Sequence, residues 1–177
     1  MHLNNFPKRE FAVYNTPIGI CYIEYCNEVL YGLKISNDNP QLDFSECVKH
    51  LNINKVELVE EKSYADVVYN QLIMYLSGSL QRFDIQYDIS FLTEFQQQVL
   101  SQLAKIPYGS TFTYKDVAVK LGKPSAARAV GMACNRNPIQ IIIPCHRVVG
   151  AKNALVGYAA GVNIKRYLLQ LEINSKE

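Results

Sequence analysis

Three consecutive residues, Cys145-His146-Arg147, set a nucleophile, a titratable base and a fixed cation side by side. A thiol reacts as its thiolate, and nearby imidazole and guanidinium groups favour that form. The soft sulfur suits attack on an alkyl carbon. Free thiols titrate near about 8.5, so the site is expected to depress this one. The bland alternative is a structural cysteine, since free cysteines are among the most buried residues. Just before the triplet, Ile141-Ile142-Ile143 is a β-branched apolar run stopped by Pro144, which reads as a strand buried on both faces. Neighbours on an extended segment point to opposite faces, so a bridging water rather than direct contact is expected between Cys145 and His146. Triad logic asks for a carboxylate on the other imidazole nitrogen. Glu172, on a C-terminal helix able to pack back, is the candidate, set against the plain reading of a solvated helix-end acid.

The elements upstream suggest what the thiol faces. Thr113 and Asp116 form a capping box that opens a short helix with Val117, Ala118 and Leu121 turned inward. Gly122-Lys123-Pro124 turns the chain, and Ser125 is expected to cap a second short helix running to about Asn135. Helix, glycine-containing turn, helix is the helix-turn-helix pattern. The second helix is small-sided, with Ala126 and Ala127 next to Arg128. Such a helix can approach a groove closely and send its single arginine into the duplex. Lys115, Lys120, Lys123 and Arg136 are placed to neutralise flanking phosphates. Tight helix packing with Arg128 solvated competes on this segment alone. A nucleophile beside a DNA-binding helix implies chemistry on the nucleic acid, and a duplex base is reachable only if it is flipped out.

The remaining elements form the frame. Residues 11–14 read as a short strand, and 18–25 with 29–35 as a hairpin about Cys26-Asn27-Glu28. Residues 37–40 are a loop and 41–54 at best a short helix. From Ser63 the residues Val67, Val68, Leu72, Tyr75 and Leu76 recur at helical spacing until Gly78. Residues 83–89 alternate, as a half-buried strand or an extended linker. Thr93 and Gln96 cap a helix with Phe95, Val99, Leu100 and Leu103 on one stripe, closed by Pro107-Tyr108-Gly109. After the triplet come a loop, 150–160, and a last helix burying Ile164, Tyr167, Leu168 and Leu171. The expected class is α+β: a small N-terminal α/β domain with an antiparallel sheet (1–90), then a mostly helical domain with a helix-turn-helix of winged-helix type (91–177).

Charge changes sign at that boundary. Residues 1–90 hold seven Lys/Arg against twelve Asp/Glu, a net of −5, while 91–177 hold eleven against four, a net of +7. Between Lys105 and Arg166 the only acid is Asp116, among ten basic residues. The C-terminal half is therefore matched to a polyanion. With 49% hydrophobic and 19% charged residues the composition is that of an ordinary globular protein. No apolar run approaches the roughly 18 residues a membrane span needs. The opening residues lack a secretory core, and five cysteines make an odd set, so a reducing cytoplasm is expected. Cys21, Cys26, Cys47 and His50 fit no standard zinc spacing. Neither a metal nor a cofactor is expected, and the chain is read as a monomer.

At these residues the chain resembles the O6-alkylguanine-DNA alkyltransferases (methylated-DNA–protein-cysteine methyltransferases). Pro144-Cys145-His146-Arg147-Val148 matches the active-site motif. Thr93-Glu94-Phe95-Gln96, Ile106-Pro107-Tyr108-Gly109, Tyr114, Arg128-Ala129-Val130-Gly131 and Asn137-Pro138 match in order upstream. Gly157-Tyr158, Lys165, Leu168-Leu169 and Glu172 match downstream. The ordered set, from 93 to 172, is far more specific than the five-residue motif.

The resemblance implies that Cys145 takes an alkyl group from guanine O6, and from thymine O4, in duplex DNA. The product is a stable thioether, so each molecule acts once. It further implies that His146, through water, and Glu172 sustain the thiolate, and that Tyr114 donates to the departing guanine. Arg128 would fill the gap left by the flipped nucleotide, from a helix in the minor groove. Asn137 would tie the recognition segment to the active-site strand and would line the base pocket together with Val148 and the backbone of Tyr158 and Ala159. Arg147 would brace the fold by an ion pair. Two departures stand out: the chain has no Trp, with Leu100 near its usual place, and Ala160 sits where glycine is usual. Two other functions remain open: a lesion binder that transfers nothing, against which Cys145 argues, and a Cys-His hydrolase, for which no oxyanion donors are evident.

Overall fold

The computed structural model describes residues 8–36 and 61–175. The short helix expected within 41–54, together with Cys47 and His50, lies outside them. Strands β1 (Glu10–Thr16), β2 (Gly19–Cys26) and β3 (Val29–Ser36) form an antiparallel meander in that order. Asn27 takes a φ of 52° in the β2–β3 turn, a conformation asparagine tolerates better than most residues. Alternation buries Cys21, Ile23 and Tyr25 from β2, one face of the pleat. Helix α1 (Tyr64–Leu76) packs on β1 and β2 through a stripe including Ala65, Val68, Leu72 and Tyr75. Ser63 and Asp66 close a capping box at its start. Asp66 also accepts from the Tyr14 hydroxyl at 2.7 Å, which pins the helix to β1.

Residues 83–89 are extended, with a single bridge between Leu30 and Tyr87, so the linker alternative is the one found. Helix α2 (Glu94–Leu103) carries the Thr93–Gln96 box and buries Val99, Leu100 and Leu103. Leu100 fills its place in the core completely. Strand β4 (Phe112–Thr113) leads through the Thr113–Asp116 box into α3 (Tyr114–Lys120). The turn at Gly122, with φ 70°, then leads into α4 (Ala127–Asn135). Strand β5 (Val148–Val149) pairs in parallel with β4, and α5 (Val162–Asn174) buries Ile164, Tyr167 and Leu168. No helix among the described residues is long and apolar enough to cross a membrane.

Three local expectations are corrected. Ile141 and Ile143 are buried and Ile142 partly so, but residues 141–143 form no strand. Ile141 has a φ of 71°, and Ile143 N–H turns back onto the Ile139 carbonyl at 3.1 Å. An apolar run reports burial, not dihedral angles, which is why the pattern misleads here. Cys145–Arg147 is one 3₁₀ turn rather than extended chain, so the opposite-faces argument does not apply. Ser125 does not cap α4; Ala126 occupies that position without a side-chain bond.

The reactive triplet is held from two sides. From one, β3 grips the preceding segment: Leu33 N–H donates to Pro138 O at 2.9 Å and Gln140 N–H to Leu33 O at 2.8 Å. From the other, Glu172 of α5 is fully buried and receives Arg147 Nε on both oxygens at 3.0 Å. Arg147 also donates to the Ile106 carbonyl at 2.7 Å, and Gly109 N–H reaches Glu172 at 2.9 Å. Burial pushes the Glu172 carboxyl up, but hydrogen bonds and charge from His146 and Arg147 outweigh it and hold it at about 2.

Removing one partner of a buried ion pair strands the other, so Glu172→Gln should cost about 3 kcal/mol or more at neutral pH. The carboxylate contributes in full above its ordinary value of 4.5 and progressively less as pH falls towards about 2. Urea unfolding of parent and variant should therefore show a gap that is constant above pH 4.5 and narrows below it. A gap independent of pH would remove the ionised carboxylate from the account.

Candidate functional site

Cys145 opens the 3₁₀ turn with its sulfur mostly enclosed, the residue being only 4% exposed. The sulfur accepts from the Asn137 side-chain amide at 3.2 Å. The same amide donates to Ile143 O at 2.9 Å, and Asn137 Oδ1 accepts from Ile139 N–H at 3.0 Å. Asn137 thus clamps the turn that precedes the thiol. Beside the sulfur lies a cavity of about 100 Å³. Gly131, Cys134 and Asn135 of α4 form one wall and Gly157, Tyr158 and Ala159 of the following loop another, with Tyr114 between. Arg128 and Ala129 of the same helix are exposed, as is Arg136 just past its end. Lys115 and Lys120 are also exposed. Exposed Lys123 lies over the Phe95 ring at 5.2 Å.

His146 is fully buried. Its Nε2 stands 2.8 Å from Glu172 Oε1, and a carboxylate that stays ionised assigns the imidazole hydrogen to Nε2. Nδ1 has no protein partner among the described residues. Burial pulls the imidazole below its ordinary value despite the Glu172 contact, so it rests neutral and ready to accept a proton. Burial also pushes the Cys145 thiol up; the Asn137 hydrogen bond, the Lys165 charge and the backbone N–H groups of Cys145 and His146 oppose that without overcoming it. The expected depression of this thiol is thus reversed: burial of a small anion outweighs the donors around it. The resting site is a thiol beside a neutral base. Tyr114, raised to about 12 by burial and then by Cys134 and Cys145, keeps its proton.

Two sequence-derived pocket residues lie elsewhere. Val148 is fully buried, paired with Phe112 in the β4–β5 ladder, and does not line the cavity. Asn137 sits behind the sulfur rather than in the cavity wall. The structure instead adds Tyr75, Cys134 and Lys165. Lys165 is fully buried and donates to Val148 O at 2.6 Å and Val156 O at 3.1 Å. It thereby ties the cavity loop to β5. Tyr75 donates to Glu172 Oε1 at 2.5 Å. A tyrosine on a buried helical stripe was the available signal, since a buried phenol requires a partner for its hydroxyl. The sequence does not say which partner.

The site is thus a thiol beside a cavity of about 100 Å³, with a buried His–Glu pair behind it and exposed arginines on the adjoining helix segment. Residues 94–174 match the family "6-O-methylguanine DNA methyltransferase, DNA binding domain". The methylated-DNA–protein-cysteine methyltransferase of Methanosarcina barkeri is 48% identical over 134 residues, 76% of this chain and 84% of that one. Its counterpart in Methanosarcina acetivorans is 41% identical over 92% of this chain and 97% of its own. The crystal structure of Mycobacterium tuberculosis O6-methylguanine methyltransferase superposes with a TM-score of 0.77 at 35% identity, covering 96% of each chain. A crystal structure of M. tuberculosis OGT in complex with DNA gives 0.76 at 36% identity, covering 93% of each. The chain belongs to the methylated-DNA–protein-cysteine methyltransferase family, and it repairs O6-methylguanine in DNA directly, by moving the alkyl group onto a cysteine.

Proposed function

We propose that Cys145 is the acceptor and that the cavity beside it receives a guanine flipped out of the duplex. The observation that carries this reading is the meeting, at one cavity, of the Cys145 sulfur and the inner face of the helix that bears Arg128. Four steps follow. Arg128 enters the duplex and occupies the space of the extruded nucleotide, while Lys115, Lys120, Lys123 and Arg136 neutralise phosphates. His146 Nδ1 takes the Cys145 proton through one water, and Glu172 faces the imidazolium that results. The thiolate attacks the alkyl carbon in line; an S–C bond forms as the C–O6 bond breaks, and the electron pair leaves with the guanine ring. Tyr114 donates a proton to that ring, so the base departs neutral.

The thioether has no reverse route, so one molecule repairs one lesion. Thymine O4 and alkyl groups larger than methyl belong to the same proposal. So does work as a monomer in the cytoplasm, where the buried thiols stay reduced. Residues 1–90 serve as a brace for 91–177. The DNA complex of the M. tuberculosis relative supports the duplex as partner. Tyr158 and Ala159 line the cavity, which supports their role at the base. Asn137 and Val148 act from behind it, as clamp and as strand.

Incubation with duplex containing O6-methylguanine should add one methyl group to the Cys145 peptide, in a yield that stops at one per molecule. Cys145→Ser should lose all transfer and keep DNA binding. Arg128→Ala should slow transfer from duplex by roughly tenfold or more, the loss expected for one arginine contact of about 1–3 kcal/mol. Transfer from the free modified base should be unchanged in that variant. Methyl recovered on another residue, or turnover beyond one, would falsify the assignment.

A further inference from the structure

Tyr75 sits on α1, in the N-terminal half, yet its hydroxyl ends at the His–Glu pair. Oη donates to Glu172 Oε1 at 2.5 Å and stands 3.3 Å from His146 Nε2. The ring is fully buried, tilted against Phe83 and edge-on to Tyr108. We propose that Tyr75 is a positioning residue for alkyl transfer: its hydroxyl fixes the Glu172 carboxylate and so holds His146 with the proton on Nε2 and Nδ1 free to accept from Cys145. This inference rests on Cys145 being the acceptor, and extends that reading by placing a residue of the N-terminal half in the proton relay.

A phenol both donates and accepts. With its hydrogen committed to Glu172, its lone pairs face the Nε2 hydrogen, so two acceptors hold the imidazole in one orientation and one tautomer. Glu172 Oε1 collects donors from Tyr75, His146 and Arg147. A carboxylate with several donors is a weaker base, and does not draw the hydrogen off Nε2. When Nδ1 takes up the Cys145 proton, the Glu172 charge and the Tyr75 lone pair both face the new imidazolium. The other charged or titratable groups facing this pair are Arg147 and Lys165 towards His146, and Tyr108 and Arg147 towards Tyr75. All four of these contributions come from beyond residue 90, so the phenol is the contribution of α1.

Tyr75→Phe keeps the ring and deletes the hydroxyl. Single-turnover methyl transfer from O6-methylguanine duplex, followed across pH, should fall by roughly tenfold near neutrality, the scale of one hydrogen bond to a charged group. The acid limb should move to higher pH, because Glu172 with one donor fewer is more basic and keeps His146 protonated further up the scale. A profile that superimposes on the parent overturns the proposal. So does a uniform loss with no displacement of the limb, which is what impaired packing alone produces. Cys145→Ser, run in parallel, separates the two readings. Methyl uptake by that variant removes the acceptor assignment itself; its loss, with an unshifted Tyr75→Phe profile, removes only the role of Tyr75. Should Tyr75→Phe fail to fold, the parent protein decides by NMR. The Tyr75 hydroxyl proton should be far downfield and slow to exchange, with the His146 ring hydrogen on Nε2. A fast-exchanging hydroxyl, or the hydrogen on Nδ1, overturns the proposal.

Discussion

One buried carboxylate holds this molecule together at the point where it reacts. Glu172 has no solvent, and its two oxygens are shared among Tyr75 of α1, Gly109 after α2, and His146 and Arg147 of the 3₁₀ turn. Removing an ion from water costs several kcal/mol, which is recovered only where donors saturate the charge. Here they do, and the consequence is structural: three separate segments share one anion supplied by a fourth. An amide at this position has a single acceptor oxygen and brings two donors of its own, which have nowhere to go among so many others. The ionised carboxylate is the side chain this donor set requires.

That requirement links fold to chemistry. The Glu172 carboxylate that these donors keep ionised also orients the imidazole through Nε2 and leaves Nδ1 without a protein partner among the described residues. The thiol, meanwhile, rests protonated because burial outweighs its donors. A protein consumed by its own reaction gains from this. A low-lying thiolate reacts with any electrophile that diffuses in, whereas under the proposed mechanism an enclosed thiol beside a neutral base would become nucleophilic only when proton loss is coupled to attack on a substrate in the cavity. Selectivity would then come from access and geometry, through a cavity whose wall is the helix proposed to meet the duplex.

What the sequence discloses follows the range of the interactions involved. Capping boxes at Thr93–Gln96 and Thr113–Asp116 are contained within four residues, and both form as read. The hairpin and the stripe of α1 are equally local. Residues 141–143 mislead because their hydrophobicity records burial, whereas the left-handed Ile141 is imposed by the grip of β3 on 138–140, a contact spanning a hundred residues of chain. The thiol is misjudged for a related reason. Adjacent His and Arg suggest activation, but both are turned towards Glu172, and the cost of burying the sulfur is visible only in three dimensions. Tyr75 is read as one more apolar position on a stripe, because nothing local distinguishes a phenol that packs from one that donates.

Lys165 shows how far the same logic extends. Its ammonium is buried, and burial pulls it below the ordinary lysine range while the neighbouring Cys145 and Cys134 sulfurs favour its charge. Its hydrogens go to carbonyls of Val148 and Val156, so the cation is spent on backbone and ties the cavity loop to the strand that follows the reactive turn. A charge placed there does two things at once. It fixes the loop that forms one wall of the cavity, and under the proposed mechanism it would leave a positive field at the sulfur when the proton departs. Glu172 and Lys165 thus flank the site as a fixed anion beside His146 and a fixed cation near Cys145, each bonded to groups of the protein itself. In the proposed mechanism, proton transfer from Cys145 to His146 would move charge between these two poles in the direction they favour, with no rearrangement of either.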